Sequence, residues 1–512
     1  MTVTRGGRTG QTDETDRSVD GLWQELKERL AAGERFAGLN VTTADAGGTG
    51  VGIGDADNGK SLSAYMARPG GIDILTAGLP AGATGYPALT PLVGAAFWYE
   101  RVIHDQTGLV PEGHPRLAPL VAPGSPQDYA LPRHVDGYGM FTFPHGPVRS
   151  GVFESMEYLV ETPGEAIPHL NMRVFYKHRG IAGRFTGATV PDGVLLAERA
   201  EGIASVAHAL AFCHAIETIA GLDIPRGAAL LRVIHAELER IANHLDVAMR
   251  LSDAAGLAVA TARFALHKER VMRLVSGLCG SRFGRGVVVP GGGAALPRMA
   301  PADLIAAAGK LEKAVAGDAE SFMGTSSMLD RLRGTGPLAP RRSREHGALG
   351  PVGKGSDYND DARIARPYDA YPLIGGAPPR AHSDGDALSR LRVRWDEVAE
   401  AFRLVRVAAE ELSEIAERPL ASPSLPAPVP DGRVAPEKLA IPDGRAVGWA
   451  EAPQGEVLYD VTVAGGRIAR CQPRSASFHN LVLMHEVFQG DILTDFPFIE
   501  ASFGLSVAGV AL

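Results

Sequence analysis

The residues best suited to chemistry fall in one stretch, Ala197 to Gly256. Its first part, Ala197-Glu198-Arg199-Ala200-Glu201-Gly202-Ile203-Ala204-Ser205-Val206-Ala207-His208, carries a carboxylate and an imidazole seven residues apart, Glu201 and His208. Read as a helix, it sets the two side chains two turns apart on one face. Such a pair suits a proton relay lining a cavity, and it suits a structural contact equally well. The second part, Glu237-Leu238-Glu239-Arg240-Ile241-Ala242-Asn243-His244-Leu245-Asp246, places Arg240 and His244 one turn apart, so both can meet one neighbour.

The elements that must position these groups are mostly helical. Leu231, Ile234, Leu238, Ile241 and Leu245 recur at spacings of three and four, the mark of one buried helix face. Gly221-Leu222-Asp223-Ile224-Pro225 reads as a helix stop followed by a restart. Helices are expected over most of Pro191 to Ala314, over Leu388 to Glu417 with Leu391, Val398, Phe402, Val405 and Ala409 near one stripe, and over Phe478 to Phe488. Residues 1–20 read as a disordered tail, 21–121 as a small α/β domain opening on a helix at Leu22 to Leu30, 122–137 as a Pro-rich linker, and 138–512 as the main domain. Alternating apolar residues after Phe143 suggest a hairpin or small sheet. Ala46-Gly47-Gly48-Thr49-Gly50-Val51-Gly52 lacks the Lys-Ser/Thr ending of a phosphate loop and reads as a flexible turn. Ala421 to Pro442 reads as a surface loop. The class expected is α+β.

The chain has 512 residues and a net charge of −8, which gives no case for nucleic-acid binding. No apolar run of about 18 residues is present, so no transmembrane helix is expected, and the start lacks the apolar core of a signal peptide. Cys213, Cys279 and Cys471 have no paired spacing, which argues against a disulfide framework and favours the cytoplasm. An iron–sulfur cluster needs four thiolates, so this chain is not expected to hold one.

The second part of the central stretch resembles the Glu-Leu-x-Arg-Ile-x-x-His-Leu helix of the D-type subunit of complex I and of membrane-bound nickel–iron hydrogenase large subunits. The first part resembles the hydrogenase motif Glu-Arg-x-Cys-Gly-x-Cys-x-x-x-His. Tyr176-Lys177-His178-Arg179-Gly180, Pro290-Gly291-Gly292-Gly293, Asp360-Asp361-Ala362-Arg363, Pro367-Tyr368 and Glu451-Ala452-Pro453-Gln454-Gly455-Glu456 match further family segments, with Lys354 where the family has Arg. Upstream, Glu100-Arg101-Val102-Ile103-His104-Asp105 and Gly113-His114-Pro115 are similar to the C-type subunit of complex I, with Val102 replacing a second Glu. The resemblance implies a C-like docking domain fused to a D-like, mainly helical domain with a small β region. It places Glu201, Ala204, Ser506 and Gly509 where the hydrogenases carry their four metal-binding cysteines. A carboxylate and a hydroxyl cannot replace four soft thiolates, so hydrogen activation is not expected.

The resemblance further implies that Arg179 and His244 face an iron–sulfur cluster held by a partner subunit. Electrons would pass to quinone or another small acceptor, with the chain itself binding no cofactor of its own. On the acceptor side, the family's Gly-Pro-x-His histidine is replaced by Arg149, with His145 just upstream. Arg149 is expected either to pair with Glu154 or to face an anionic or carbonyl acceptor. Implied partners are the iron–sulfur subunit and membrane-embedded antiporter-like and quinone-channel-like subunits, with this chain peripheral on the cytoplasmic face. The alternative is a non-catalytic coupling or structural subunit of such a complex.

Overall fold

A computed structural model describes residues 11–12, 17–43, 59–121, 135–149, 154–293, 297–377, 381–415 and 441–512. Most of the expected tail 1–20, the Gly-rich turn 46–52, residues 122–134 of the expected linker and nearly all of the loop 421–442 lie outside the described residues.

The architecture is α+β. The first layer is a sheet ordered Gln11–Thr12, Gly71–Gly78, Lys60–Arg68, Arg35–Thr43, antiparallel except for the first pair. The Val19–Ala31 helix packs on it through Leu22, Trp23 and Leu26, and Ser18 caps its first turn. The Phe97–Thr107 helix carries the acidic-basic signature, whose side chains staple loops and do not pair with one another. Glu100 accepts from Leu89 N, Thr90 N and Thr90 Oγ1; Arg101 donates to the carbonyls of Ala118 and Pro119; Asp105 accepts from Leu120 N and Val121 N.

The main body is a bundle of four long helices, Arg226–Ala254, Ala258–Cys279, Pro301–Met323 and Ala387–Ser413. Leu231, Ile234, Leu238, Ile241 and Leu245 are all buried in it, as are Leu391, Val398, Phe402, Val405 and Ala409. Gly221, at φ 63°, ends the preceding Ser205–Ala220 helix as expected. That helix lies on a three-stranded antiparallel sheet, Gly444–Ala452, Gly455–Ala464 and Arg467–Arg474. Gly448 makes the close approach possible, because a side chain there would meet backbone atoms of Ala211 and Ala215.

The small domain is fastened to this sheet by buried ion pairs and hydrogen bonds. Arg35 reaches Asp360 and Glu456, Tyr65 donates to Asp460, and Arg474 donates to the Ala37 carbonyl. A third sheet, Phe141–His145, Glu157–Thr162 and His169–Arg173, forms where a hairpin or small sheet was expected.

Two expectations need correction. Residues 197–208 are not one helix: one helix ends at Ala197 and the next begins at Ser205. Ala204, at φ −143° and ψ 41°, is non-helical, and the new helix is capped from outside by Glu239, which accepts from Val206 N and Ala207 N. The expected helix Phe478 to Phe488 is two short ones, Ala476–Leu481 and Met484–Val487, followed by Phe496–Phe503 and Val507–Val510.

Candidate functional site

The Glu198–Ala204 segment and the Ser506–Gly509 turn meet at Glu201, so the positions that the resemblance aligns with the hydrogenase ligands lie in two neighbouring segments. None is a cysteine, and all are buried. The space is filled by the Glu201 carboxylate. A Cβ on Gly509 would lie 2.6 Å from Glu201 Cδ. Although Glu201 precedes the helix that carries His208, the two meet, with His208 Nε2 at 3.0 Å from Glu201 Oε2. Tyr459 Oη lies 2.9 Å from His208 Nδ1, and Ser477 Oγ donates to Glu201 Oε1 at 2.6 Å. The space between these positions therefore holds a polar cluster enclosed by protein. A nickel–iron centre does not fit these residues, since the thiolates are gone and the carboxylate occupies the space.

The cluster continues toward a cavity. Ser506 N donates to Ser477 Oγ at 3.1 Å, and Ser506 Oγ donates to Glu154 Oε1 at 2.7 Å. Val507 N donates to the other Glu154 oxygen. Glu154 lines a cavity of about 570 Å³, together with His145, Arg149, Phe496, Glu500 and Val507. His145 and Arg149, the two residues expected on the acceptor side, thus line the same cavity. Arg149 does not pair with Glu154. It makes a two-pronged pair with Glu500 at 2.8 and 2.7 Å, and Tyr158 Oη donates to the same carboxylate at 2.9 Å. Glu154 is engaged by the Ser506–Val507 turn, and Glu500 sits on the helix across the cavity. Arg149 Nε is buried without a hydrogen-bond partner. The His145 ring packs edge-on to Phe496 and stacks near Tyr158. Burial, then the Arg149 charge, lowers its pKa, against the Glu500 carboxylate.

Arg179 is half-buried beside the cluster. It donates to the carbonyls of Arg199, Ala200 and Ala508, so it ties the Glu198–Ala204 segment to the C-terminal turn. His244 is fully enclosed. Its Nε2 lies 2.7 Å from Glu397 Oε2 and its Nδ1 lies 3.1 Å from Arg394 Nη1. Burial pushes its pKa down to about 4 despite Glu397. Both ring nitrogens are thus engaged within this chain. Arg240 meets the same Glu397 oxygen at 3.3 Å, the shared neighbour expected from the one-turn spacing.

Around Glu397 lies a buried network that the pairwise reading missed. Lys354 Nζ is 2.7 Å from both Glu397 and Asp361, and Arg363 pairs with Asp361 and Glu237. Three cations, Arg240, Lys354 and Arg363, thus offset three carboxylates, Glu237, Asp361 and Glu397. Burial acts to raise Glu397, but Lys354, the His244 hydrogen bond and Arg240 outweigh it and hold the pKa well below the ordinary carboxylate range. A fourth acid, Glu451, lies 3.9 Å from Lys354, and burial, reinforced by Asp361, raises it to about 8. The signal was present in the sequence as charged positions in four separate family segments. Nothing in one sequence says that they converge.

A family model described as the respiratory-chain NADH dehydrogenase 49 Kd subunit matches residues 255–511, half of the chain. The chain belongs to this family, a class of oxidoreductase subunits with a complex I-like and hydrogenase-large-subunit-like body. A model described as the 30 Kd subunit of the same dehydrogenase matches residues 70–136, so the two subunit types are fused here. Among curated relatives, formate hydrogenlyase subunit 5 of Escherichia coli is 27% identical over 450 residues, covering 81% of this chain and 75% of that protein. The membrane-bound hydrogenase subunit alpha of Pyrococcus furiosus is 28% identical over 366 residues, 69% of this chain and 83% of that protein. The D-type subunit of the NADH-quinone oxidoreductase of Geotalea uraniireducens is 26% identical over 373 residues, 70% of this chain and 94% of that protein. A chain of the membrane-bound sulfane sulfur reductase, an archaeal respiratory membrane complex, shares the fold, with a TM-score of 0.65, 20% identity, and coverage of 74% of this chain and all of that one. Among the described residues, no helix is long and apolar enough to cross a membrane.

Proposed function

We propose that this chain is a subunit of a membrane-associated, complex I-like oxidoreductase. It takes electrons from an iron–sulfur cluster held by a partner subunit and passes them to quinone or another small acceptor, without activating hydrogen. The observation that carries this reading is the linked pair of features at the former metal position. A polar cluster, Glu201–His208–Tyr459–Ser477, occupies the ligand space, and hydrogen bonds through Ser506 and Glu154 lead from it to the cavity lined by His145 and Arg149. A reduced acceptor needs protons as well as electrons, and the carboxylates, hydroxyls and imidazole gathered here can give and take them. Arg179 carries a positive charge beside the cluster. Such a charge stabilises the reduced form of a nearby iron–sulfur centre and raises its potential. The chain would sit at the cytoplasmic face, held by protein contacts with an iron–sulfur subunit and with antiporter-like and quinone-channel-like membrane subunits.

A second reading, a coupling subunit without its own acceptor site, is favoured by the full enclosure of Glu201 and His208 and by the neutralisation of Arg149 by Glu500. The two readings separate in the complex purified from membranes. Its clusters are reduced, a short-chain quinone is added, and cluster signals are followed by electron paramagnetic resonance. Reoxidation that is abolished by Glu154→Ala supports the acceptor site. Clusters that stay reduced with every quinone leave the coupling role.

A further inference from the structure

A second cavity, of about 230 Å³, borders the same Glu198–Ala204 segment, with Gly202 and Ile203 in its wall. Val206, Leu238, Met272 and Val275 make much of the lining apolar. Along the Arg226–Ala254 helix, however, His235, Glu239 and Asn243 recur every fourth residue and all line this cavity. His235 and Asn243 are buried, and His235 Nδ1 and Asn243 Oδ1 have no hydrogen-bond partner. Buried polar atoms left without partners are rare in folded proteins and mark the place of ordered water or a ligand. The cavity is polar along one stripe and has room for several waters, each of which occupies about 30 Å³ in the liquid.

Glu239 lines this cavity and lies close enough to the filled centre for the Glu201 charge to act on it. Its oxygens accept from Val206 N at 2.7 Å and Ala207 N at 3.1 Å, in the first turn of the helix that carries His208. Ser205, in the same turn, has a buried hydroxyl without a partner. We propose that the cavity is a water-filled proton inlet, and that Glu239 relays protons from it to the Glu201–His208 pair. This rests on the reading of the chain as an acceptor-reducing subunit. Each electron arriving on the acceptor from the partner's cluster draws one proton. Cavity water protonates the Glu239 carboxylate, and Glu239 yields that proton toward the Glu201–His208 pair, which supplies the acceptor side.

The electrostatics suit a relay. Burial raises the Glu239 pKa to about 8, and Glu201 adds to the rise, against the two backbone N–H groups and Arg240. The titratable groups that line the cavity with Glu239 are His235 and Asp246 of its own helix, Lys268 of the Ala258–Cys279 helix and Arg282 of the following turn, and the Arg240 and Glu201 charges also act on it. Lys268 is held by Asp246 and Arg282 by Glu269, so neither cation fixes Glu239 in its charged form.

The test uses the whole purified complex with Glu239→Gln and Glu239→Asp. Sustained cluster reoxidation should slow roughly 100-fold in Glu239→Gln, in line with the loss of a proton-transferring group. The alkaline limb of its pH profile should disappear, and Glu239→Asp should restore most of both. An infrared titration without acceptor should show a protonated-carboxyl band lost near pH 8 in the parent and missing in Glu239→Gln. A parent complex that quinone does not reoxidise would remove the acceptor-reducing reading, while the infrared titration still decides on Glu239. Full-rate turnover in Glu239→Gln overturns the proposal. So does equal slowing in both variants with an unchanged pH profile, the mark of a lost helix cap, or an infrared titration identical to the parent's.

Discussion

Gly509→Ala probes how tightly Glu201 fills the former metal position. The new methyl carbon would stand 2.6 Å from Glu201 Cδ and 2.7 and 2.9 Å from its oxygens. No positive φ restricts position 509, so the effect is packing alone. Overpacking of this kind costs ~1–3 kcal/mol. If the carboxylate swings away to relieve it, the charge-assisted bonds to Ser477 and His208 weaken, at ~1.5–3 kcal/mol each. Glu201→Ala alone leaves His208 Nε2 buried and without that partner and the Ser477 hydroxyl without its acceptor, at ~1–3 kcal/mol each. In the double variant the added methyl enters the space the carboxylate left. Its cost should therefore fall short of the sum of the single costs by about 1–3 kcal/mol, the range for residues in direct contact. The assay is denaturation of this subunit within the complex, compared across the parent, both single variants and the double. Additivity within about 0.5 kcal/mol would mean the two sites do not touch, and the description of a carboxylate-filled centre would be wrong.

Other perturbations have defined outcomes. Lys354→Met leaves Asp361 and Glu397 buried with one cation fewer and should destabilise by ~3–5 kcal/mol, read as a lower midpoint in a thermal melt of the complex. His244 has a folded pKa lowered to about 4 from 6.5, so it binds fewer protons folded than unfolded between those values. Its contribution is complete above the unfolded pKa and is lost as pH falls toward about 4, and His244→Gln should flatten that acid limb of the stability profile. Glu239 has the opposite sign: its folded pKa is raised to about 8 from 4.5, so the folded state binds more protons in that window and stability declines as pH rises through it. Glu239→Gln should reduce that decline, measured by melts at a series of pH values. Arg149→Ala frees Glu500 and Tyr158 in the acceptor cavity and should slow cluster reoxidation at least about tenfold, as expected when a positioned cation is lost from a reacting site.

Much of the helical frame was legible because it rests on local rules. Leu231 to Leu245 repeat at helical spacing, Gly221 supplies the left-handed cap, and the stripe from Leu391 to Ala409 is apolar on one side only. The break between Ala197 and Ser205 was not legible, because its cause is remote: Glu239, 33 residues from Val206, provides the cap. Motif matching located Glu201, Ala204, Ser506 and Gly509, but not what fills the space between them. Ser477 and Tyr459 enter from another helix and another sheet. Arg149 was singled out for its type, and its partner Glu500 lies 351 residues away, beyond the reach of any spacing rule. The same holds for Lys354, Asp361, Arg363 and Glu451, which read separately as motif residues and together form one charge-balanced interior.

The central claim is that the cavity beside Glu154 receives an acceptor whose electrons come from a partner's cluster. Leu505 lines that cavity, and Leu505→Trp should fill it while leaving the Glu201–His208 cluster intact. The most direct measurement is the rate at which quinone reoxidises the reduced clusters in the parent complex and in Leu505→Trp, by rapid-freeze electron paramagnetic resonance. The account predicts fast reoxidation in the parent and its near-complete loss in the variant. Equal rates in the two, or clusters in the parent that stay reduced, would contradict it.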